Sequence, residues 1–397
     1  MPSNLLHLVS EQAMQNLLPL LALQPKVVVQ VRSKEDRFHQ VAENLKGAVA
    51  AIRKTAPYRD LAPQFFEVVI DEVSPSVDRA RGKVGEALSL WPEAVVNVTG
   101  GTKLMSIGAY LAAEYQREPV LYCDTQRRCF VSLNDRCRLP KLPHFDEIAA
   151  NLDVESVMAA HGVQNTGWTG ENPNAELMRF GEQALQCRLS HSDELLEFAR
   201  RLREDFKPKD RFLSADRFAV RNLEPITAMK TAGVTAYLRA ATVLGIITEQ
   251  ADGFRFASGM TRRQFEKAVN LLEGTWLELG VYALLCRNPR FSDVRWNFKP
   301  QDQDAAGFGE TDIVYVDREI TGLALFSCKS IAPRLEHLEA LRQRKETLGG
   351  RFARVTLCVA HCTEEQKQRL SLWCRALGIA LVVGSELVTA FDPDPKS

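Results

Sequence analysis

Residues 94–103 read Ala-Val-Val-Asn-Val-Thr-Gly-Gly-Thr-Lys, and this stretch decides the fold of the first third of the chain. The apolar, β-branched run is typical of a buried strand, and it passes directly into two glycines and then into a helical pattern. Such a turn lies at the carboxyl edge of an open α/β sheet, where ligands bind. Backbone amides, Thr102 and Lys103 therefore predict an anion site, with a plain tight turn as the alternative.

The sequence on both sides of this stretch repeats the same alternation. Short β-branched runs alternate with stretches of helical period, which predicts a parallel sheet wrapped by helices in a Rossmann-like order. The predicted strands are residues 5–9, 27–31, 65–70, 94–98, 120–123 and 129–133. The predicted helices are residues 11–22, 36–55, 76–90 and 103–115.

The glycine-rich turn has neither the spacing of a Walker loop nor that of the dinucleotide fingerprint, so a different nucleotide ligand is expected. Residues 97–106 (Asn-Val-Thr-Gly-Gly-Thr-Lys-Leu-Met-Ser), together with Ser10-Glu11-Gln12 after the first strand, resemble the CARF sensor domains of CRISPR ancillary nucleases. The resemblance implies a homodimer that binds a cyclic oligoadenylate, expected to be cyclic tetra-adenylate, across its two-fold axis. The ligand contacts that it implies are Ser10, Gln12, Thr99, Gly100, Gly101, Thr102 and Lys103.

Several of these residues have a second interpretation. Ser10 is equally suited to cap the N-terminus of the predicted helix 11–22. Arg32 and Ser33, at the end of the second strand, point to the same edge and are equally consistent with solvated loop residues. The sequence leaves both alternatives open.

Composition changes after residue 135. Pro140, Pro143 and polar runs across residues 164–173 predict a connector around one short helix. A helix and a hairpin within residues 231–258 resemble the end of a winged-helix-like element. We therefore divide the chain into a sensor (1–150), a linker with a helical, winged-helix-like region (151–260) and a C-terminal domain (261–397).

The C-terminal domain is also predicted to be α/β. A long helix, residues 262–286, precedes strands at residues 294–298, 311–316, 322–327, 355–359 and 380–383. Helices at residues 332–347 and 364–377 separate the later strands. This order, a helix, a three-strand meander, a helix and a strand, is the one that a restriction-endonuclease-like core requires.

A helix and two neighbouring strands carry the candidate catalytic residues. Glu278 lies on the long helix, Asp312 opens one strand and Lys329 closes the next. Metal-dependent phosphodiester cleavage needs carboxylates that hold Mg²⁺ or Mn²⁺, here Glu278 and Asp312, and a lysine that orients the attacking water. A lysine that merely extends to solvent from a strand end is the alternative for Lys329.

The arrangement resembles the PD-(D/E)xK nuclease superfamily, with one departure. Ser327 stands two residues before Lys329, where the superfamily usually has Glu or Asp. A hydroxyl brings no negative charge, so metal affinity should fall unless Glu310, two residues before Asp312, replaces the missing carboxylate. Weak cleavage, compensation by Glu310 and binding without cleavage all stay open.

The length of 397 residues predicts two or three domains. The composition, with 45% apolar and 25% charged residues, is typical of folded globular proteins. The net charge is zero, so nucleic acid would be held by a local basic surface. Trp276 and Trp296 are expected to pack in the core, and stacking of a single nucleic-acid strand on their rings is the alternative. The candidate cations are Arg287, Arg290 and Arg295.

Nine cysteines without a paired framework indicate a reducing cytoplasm. Cys358 and Cys362 lack a second ligand pair for zinc. No secretion signal and no membrane span are expected.

The two resemblances together imply a cyclic-oligoadenylate-activated, metal-dependent endonuclease that cleaves DNA or RNA in type III CRISPR antiviral defence. A ligand-controlled transcription regulator with a decayed nuclease core and a constitutive repair nuclease are the alternatives.

Overall fold

Two sheets, one of six strands and one of five, organise the chain. The computed structural model describes residues 4–73, 75–134, 139–163, 170–207, 212, 226, 231–299, 309–384 and 386–391. None of the helices in these ranges is long and apolar enough to span a membrane.

The N-terminal sheet has the predicted six strands in the order β3-β2-β1-β4-β5-β6, all parallel except the final antiparallel pair. Its strands are β1 (Asn4–Leu8), β2 (Val27–Ser33), β3 (Gln64–Ile70), β4 (Ala94–Asn97), β5 (Val120–Asp124) and β6 (Cys129–Ser132). Its helices are α1 (Met14–Leu23), α2 (Asp36–Ile52), α3 (Val77–Leu90) and α4 (Lys103–Gln116). The Rossmann-like prediction is confirmed, with small shifts of the element ends.

Both faces of this sheet are covered, as a parallel sheet requires. Alternate residues of a strand face opposite sides, so Leu5 and Val28 pack with α1 and α2, whereas Leu6 and Val29 pack with α3 and α4. The helices are therefore held by apolar burial on either side of the strands.

The segment after the first sheet contains two short helices, α5 (Phe145–Ala149) and α6 (Val154–Ala160), so the prediction of one short helix was wrong. Both helices are buried because Phe145, Val157 and Met158 join the same apolar cluster as the strands on either side. That cluster reaches Val314 and Leu325 of the second sheet. The two sheets therefore share one continuous hydrophobic core.

The helical region between the sheets is described in part. It contains α7 (Ala175–Ser190), α8 (Ser192–Phe206), α9 (Ala232–Thr242) and a hairpin of β7 (Ile247–Gln250) with β8 (Gly253–Phe256). A helix followed by a hairpin agrees with the predicted order of elements.

The predicted long helix 262–286 is interrupted, so this prediction was wrong. It consists of α10 (Arg262–Asn270), a π-helical turn (Leu271–Thr275) and α11 (Trp276–Arg287). A π-helical turn inserts an extra residue and rotates the faces of the helix on either side. Here the turn directs the buried Glu273 to Arg203 and Lys207, while Trp276 and Leu277 face the apolar core.

The C-terminal sheet has the order β13-β12-β11-β10-β9, antiparallel over β9, β10 and β11 and parallel from β11 to β13. The remaining elements are β9 (Phe291–Phe298), β10 (Thr311–Asp317), β11 (Gly322–Ile331), α12 (Leu335–Gly349), β12 (Arg354–His361), α13 (Glu364–Leu377), β13 (Ala380–Val383) and α14 (Glu386–Phe391). The meander and the later strands match the prediction. β11 continues four residues past residue 327, so Lys329 lies within the strand rather than closing it.

Candidate functional site

The carboxylate of Asp312 is held at the junction of β10 and β11. Its Oδ2 accepts a hydrogen bond from the backbone N–H of Cys328 at 2.6 Å and from the hydroxyl of Ser327 at 3.2 Å. Nζ of Lys329 lies 3.4 Å from the same oxygen. The antiparallel register, with Ile313 opposite Phe326, brings these residues together. One oxygen of Asp312 is therefore fully engaged.

Glu278 approaches this pair from α11. Its Oε2 accepts a hydrogen bond from Nε1 of Trp296 at 3.2 Å. Burial, and next the Asp312 carboxylate, raise the pKa of Glu278 to about 8, while Lys329 acts in the opposite direction. Glu278, Asp312 and Lys329 thus converge, and we call these three residues the acid-lysine centre.

Asn297 connects the centre to Glu310, a role that the sequence did not reveal. In the amide orientation that satisfies both acids, Nδ2 of Asn297 donates to Oε2 of Glu278 at 3.3 Å and to Oε1 of Glu310 at 3.0 Å. Asn297 has a left-handed backbone with φ of 49°, which asparagine tolerates better than most residues. Glu310 also pairs with Lys299 at 2.7 Å. Glu310 is thereby held beside the centre.

The donor set suits a hydrated hard cation better than a complete protein cage. Among the described residues, no group of three or more His, Cys, Asp or Glu side chains is arranged to hold a metal ion. Mg²⁺, however, usually keeps several waters and takes one or two carboxylates together with phosphates of the substrate. The facing acids Glu278 and Asp312 fit that requirement.

Most of the residues considered for holding a nucleic-acid strand already pack in the core or form ion pairs within the protein. Trp276 is 5% exposed within the apolar core, which confirms core packing for this residue and excludes stacking, because no base can reach its ring. Trp296 is partly exposed and donates to Glu278. The three arginines are already ion-paired, Arg287 with Glu182, Arg290 with Asp317 and Arg295 with Asp293.

The glycine-rich turn packs closely against the end of β1. A Cβ at Gly100 would lie 2.2 Å from the carbonyl oxygen of Leu8, and Gly101 has φ of +70°. Only glycine satisfies the first constraint without a shift of the backbone. The turn therefore presents its backbone at the carboxyl edge of the sheet.

The hydroxyl groups of Thr99 and Thr102, beside the turn, form hydrogen bonds within the protein. Oγ1 of Thr102 accepts from the N–H of Met105 and caps α4, while Lys103 is exposed. Oγ1 of Thr99 accepts from the N–H of Cys123 at 2.7 Å and donates to Oδ1 of Asn97 at 2.6 Å. Thr99 thus joins the ends of β4 and β5, and Lys103 is the side chain most open to a ligand.

Ser10 and Gln12 lie at the same edge, because the N–H of Gly101 donates to the carbonyl of Val9 at 3.2 Å. α1 begins at Met14, after Ala13, so the alternative of Ser10 as its N-cap is wrong. The Ser10 hydroxyl instead accepts from the N–H of Gln12 at 3.1 Å, in a local turn.

Arg32 and Ser33 are not solvated loop residues, because the Arg32 side chain is largely buried against Glu67 and Ser33 is 2% exposed. The alternative reading of this pair is therefore wrong. Ion pairing and burial keep both side chains within the domain.

Comparisons with known proteins agree with this architecture. The structure is similar to Can2 from Sulfobacillus thermosulfidooxidans, solved in complex with cyclic tetra-adenylate, at 17% identity and a TM-score of 0.67, over 98% of this chain and 97% of that one. It is also similar to protein VC1899 from Vibrio cholerae, at 15% identity and a TM-score of 0.71, over 99% and 96%. At these identities the likeness establishes the fold alone. No curated protein matches the sequence.

The sequence itself carries a more specific match at its N-terminus. Residues 5–141 match the family model of the Card1 CARF domain. These residues include β1 to β6, the glycine-rich turn and the edge with Ser10 and Gln12. The chain therefore contains a CARF domain at its N-terminus, followed by a second α/β domain.

Proposed function

We propose that this chain is a nuclease of CRISPR defence that is activated by a cyclic oligoadenylate and depends on a divalent metal ion. The convergence of Glu278, Asp312 and Lys329 carries the proposal. Two acids and a lysine meet beside one another although they lie on a helix and two strands, and the chain that holds them begins with a CARF domain.

Glu278 and Asp312 would hold Mg²⁺ or Mn²⁺. The ion would supply charge neutralisation at the scissile phosphate and a more acidic water. Nζ of Lys329, which lies 3.4 Å from Oδ2 of Asp312, would orient an attacking water and stabilise the charge that develops on the phosphate. Ser327 contributes a hydrogen bond to Asp312 in place of a carboxylate, and Glu310 supplies the nearby negative charge.

The activator would bind at the carboxyl edge of the N-terminal sheet. The backbone of Gly100 and Gly101, the N-terminus of α4 and the exposed Lys103 suit phosphate groups. Ser10 and Gln12 lie beside them on the neighbouring strand end. Can2, which has the same fold, was solved with cyclic tetra-adenylate, and this favours the same ring size here.

A homodimer is supported by α4. Four apolar side chains form a stripe along this helix, each between 38% and 79% exposed: Leu104, Ile107, Leu111 and Tyr115. Their spacing places them on one helical face, which a single copy leaves in water. Because Lys103 begins the same helix, a second copy packed on this stripe would bring two ligand edges together around one ring.

The test is nuclease activity of the full chain with Mn²⁺, assayed with each cyclic oligoadenylate in turn on single-stranded DNA, single-stranded RNA and supercoiled plasmid. We expect cyclic tetra-adenylate to stimulate cleavage, and EDTA to abolish it. Equal cleavage with and without the ring would favour the constitutive repair nuclease. Sequence-specific duplex binding without cleavage would favour the transcription regulator.

A further inference from the structure

Arg188 is a buried cation whose nearest counter-charge among the described residues, Asp193, acts on it without forming an ion pair. Arg188 of α7 is 5% exposed, and its Nε has no hydrogen-bond partner. Within the described part of the chain it forms no ion pair. Burial lowers the pKa of Arg188 to about 10, although the guanidinium stays charged at neutral pH. A buried guanidinium nitrogen without a hydrogen-bond partner is unfavourable unless an anion or a water molecule compensates it.

Arg188 lines two adjoining cavities of about 110 and about 200 Å³. The first is bounded by Trp276, Ser330 and Ile331 and the second by Ala360 and Gly384. Ser330 and Ile331 lie at the end of β11, Ala360 near the end of β12 and Gly384 just after β13. The cavities therefore lie beyond the carboxyl ends of three parallel strands, the position at which open α/β sheets bind ligands.

The other charged groups of the first cavity are already neutralised. Arg203 pairs with Glu273, and Glu273 also binds Lys207. Arg200 pairs with Glu197 and Glu204 on the surface of α8. Arg188 is therefore the cation of this cavity that has no ion-pair partner among the residues that the structure describes. Ser330 adds a hydroxyl group to the same cavity wall.

We propose that Arg188 binds a phosphate group of a single-stranded nucleic acid that passes the acid-lysine centre. This inference rests on the proposed nuclease function. The planar guanidinium matches phosphate with two parallel hydrogen bonds, which a lysine cannot reproduce. Ser330 and Ile331 directly follow Lys329, so the pocket lies along the same strand end as the centre. The cavities hold little more than one phosphate group, so the sugars and bases of the strand would lie outside them.

The experiment measures binding without cleavage. Labelled single-stranded DNA and RNA are titrated with the full chain in EDTA, with and without cyclic tetra-adenylate, over a range of KCl concentrations. We expect Arg188→Met to weaken binding about tenfold and to reduce the salt slope by about 0.7, the value for one lost phosphate contact on a single strand. Arg200→Met, which removes an ion-paired arginine of the same cavity wall, is the matched control and should change neither quantity.

Thermal unfolding separates this role from a structural one. Met is apolar and of similar length, so the ligand-free Tm of Arg188→Met should equal or exceed that of the wild type. Inorganic phosphate should raise the Tm of the wild type and not that of Arg188→Met. If Arg188→Met is poorly folded, Arg188→Lys replaces it, because it keeps the charge but loses the paired hydrogen bonds.

An unchanged salt slope in a folded variant would overturn the assignment to a nucleic-acid strand, even if inorganic phosphate still protected the wild type. Equal protection of both proteins by phosphate would overturn the pocket itself. Neither measurement depends on cleavage. A chain that binds phosphate through Arg188 but never cuts nucleic acid would therefore refute the proposed function and leave the pocket intact.

Discussion

The carboxyl edge of the N-terminal sheet, where we propose that the activator binds and which we call the ligand edge, and the acid-lysine centre of the C-terminal domain are built in opposite ways. The edge consists of consecutive residues around Gly100 and Gly101, with exposed side chains and backbone amides. The centre brings together α11, β10 and β11, whose contributing residues span positions 278 to 329. Its acids are partly buried, and the pKa of Glu278 is strongly raised. A backbone site therefore costs little stability, whereas a site of converging, partly buried charges is held against repulsion and desolvation.

The largest expected effect separates the two sites functionally. Lys329→Ala should lower metal-dependent cleavage by about 10² to 10⁴-fold, because the charge beside the scissile phosphate is lost. Binding of cyclic tetra-adenylate, measured by calorimetry, should be unchanged. Lys367→Ala, which removes a lysine paired with Glu386 at 2.9 Å in the same domain, is the control. Undiminished cleavage by Lys329→Ala would remove this lysine from the centre.

Asn297 tests whether Glu310 belongs to the centre. Asn297→Ala removes the amide that joins Glu278 to Glu310. We expect a loss of about 10 to 100-fold in Mn²⁺ affinity, with cleavage partly restored at high metal concentration. The metal dependence of the cleavage rate measures both quantities. Asn44→Ala, which removes a surface amide bonded to Gln40, should leave the metal dependence unchanged. A uniform loss of rate at every metal concentration would indicate misfolding instead.

A glycine pair tests the claim that the ligand edge is made by the backbone. Gly100→Ala would push a methyl group against the carbonyl oxygen of Leu8, so the free energy of unfolding should fall by about 1 to 3 kcal/mol. Gly47 lies inside α2, and a Cβ there meets nothing within 4 Å. Gly47→Ala should therefore raise the unfolding free energy by about 0.5 to 1 kcal/mol. Denaturant unfolding of both variants measures the contrast, and equal effects would argue against close packing at Gly100.

The smallest expected effect concerns the stability that is lost because Glu278 is partly buried beside Asp312. The folded-state pKa of Glu278 lies near 8, above the ordinary 4.5, so the folded state binds more protons between these values and stability falls as pH rises. Glu278→Gln removes this dependence. In EDTA, we expect its Tm to exceed the wild-type Tm by at least about 2 °C at pH 8, with a smaller difference at pH 5. Calorimetry at the two pH values tests this, and a difference that grows toward pH 5 would contradict the raised pKa.

Most of the regular elements could be predicted because each depends on local pattern. The six strands and four helices of the first sheet follow from β-branched runs alternating with helical period, and the glycine-rich turn identifies their ligand edge. The meander of the second sheet follows in the same way. The interruption of the helix at Leu271–Thr275 was not predicted from local pattern, and within it Glu273 pairs with Arg203 and Lys207 from a distant part of the chain.

The sequence by itself determined the order of the elements, the glycines of the ligand edge, and the set of acids and lysine that meet in the second domain. Only the tertiary structure decided that Asn297 joins Glu310 to Glu278, that Trp276 is buried, and that Arg188 is buried without an ion-pair partner among the described residues. The physical reason is the separation along the chain over which each kind of interaction acts. Periodicity and turn chemistry act between neighbours in the chain, whereas burial and charge pairing depend on which distant segments approach one another.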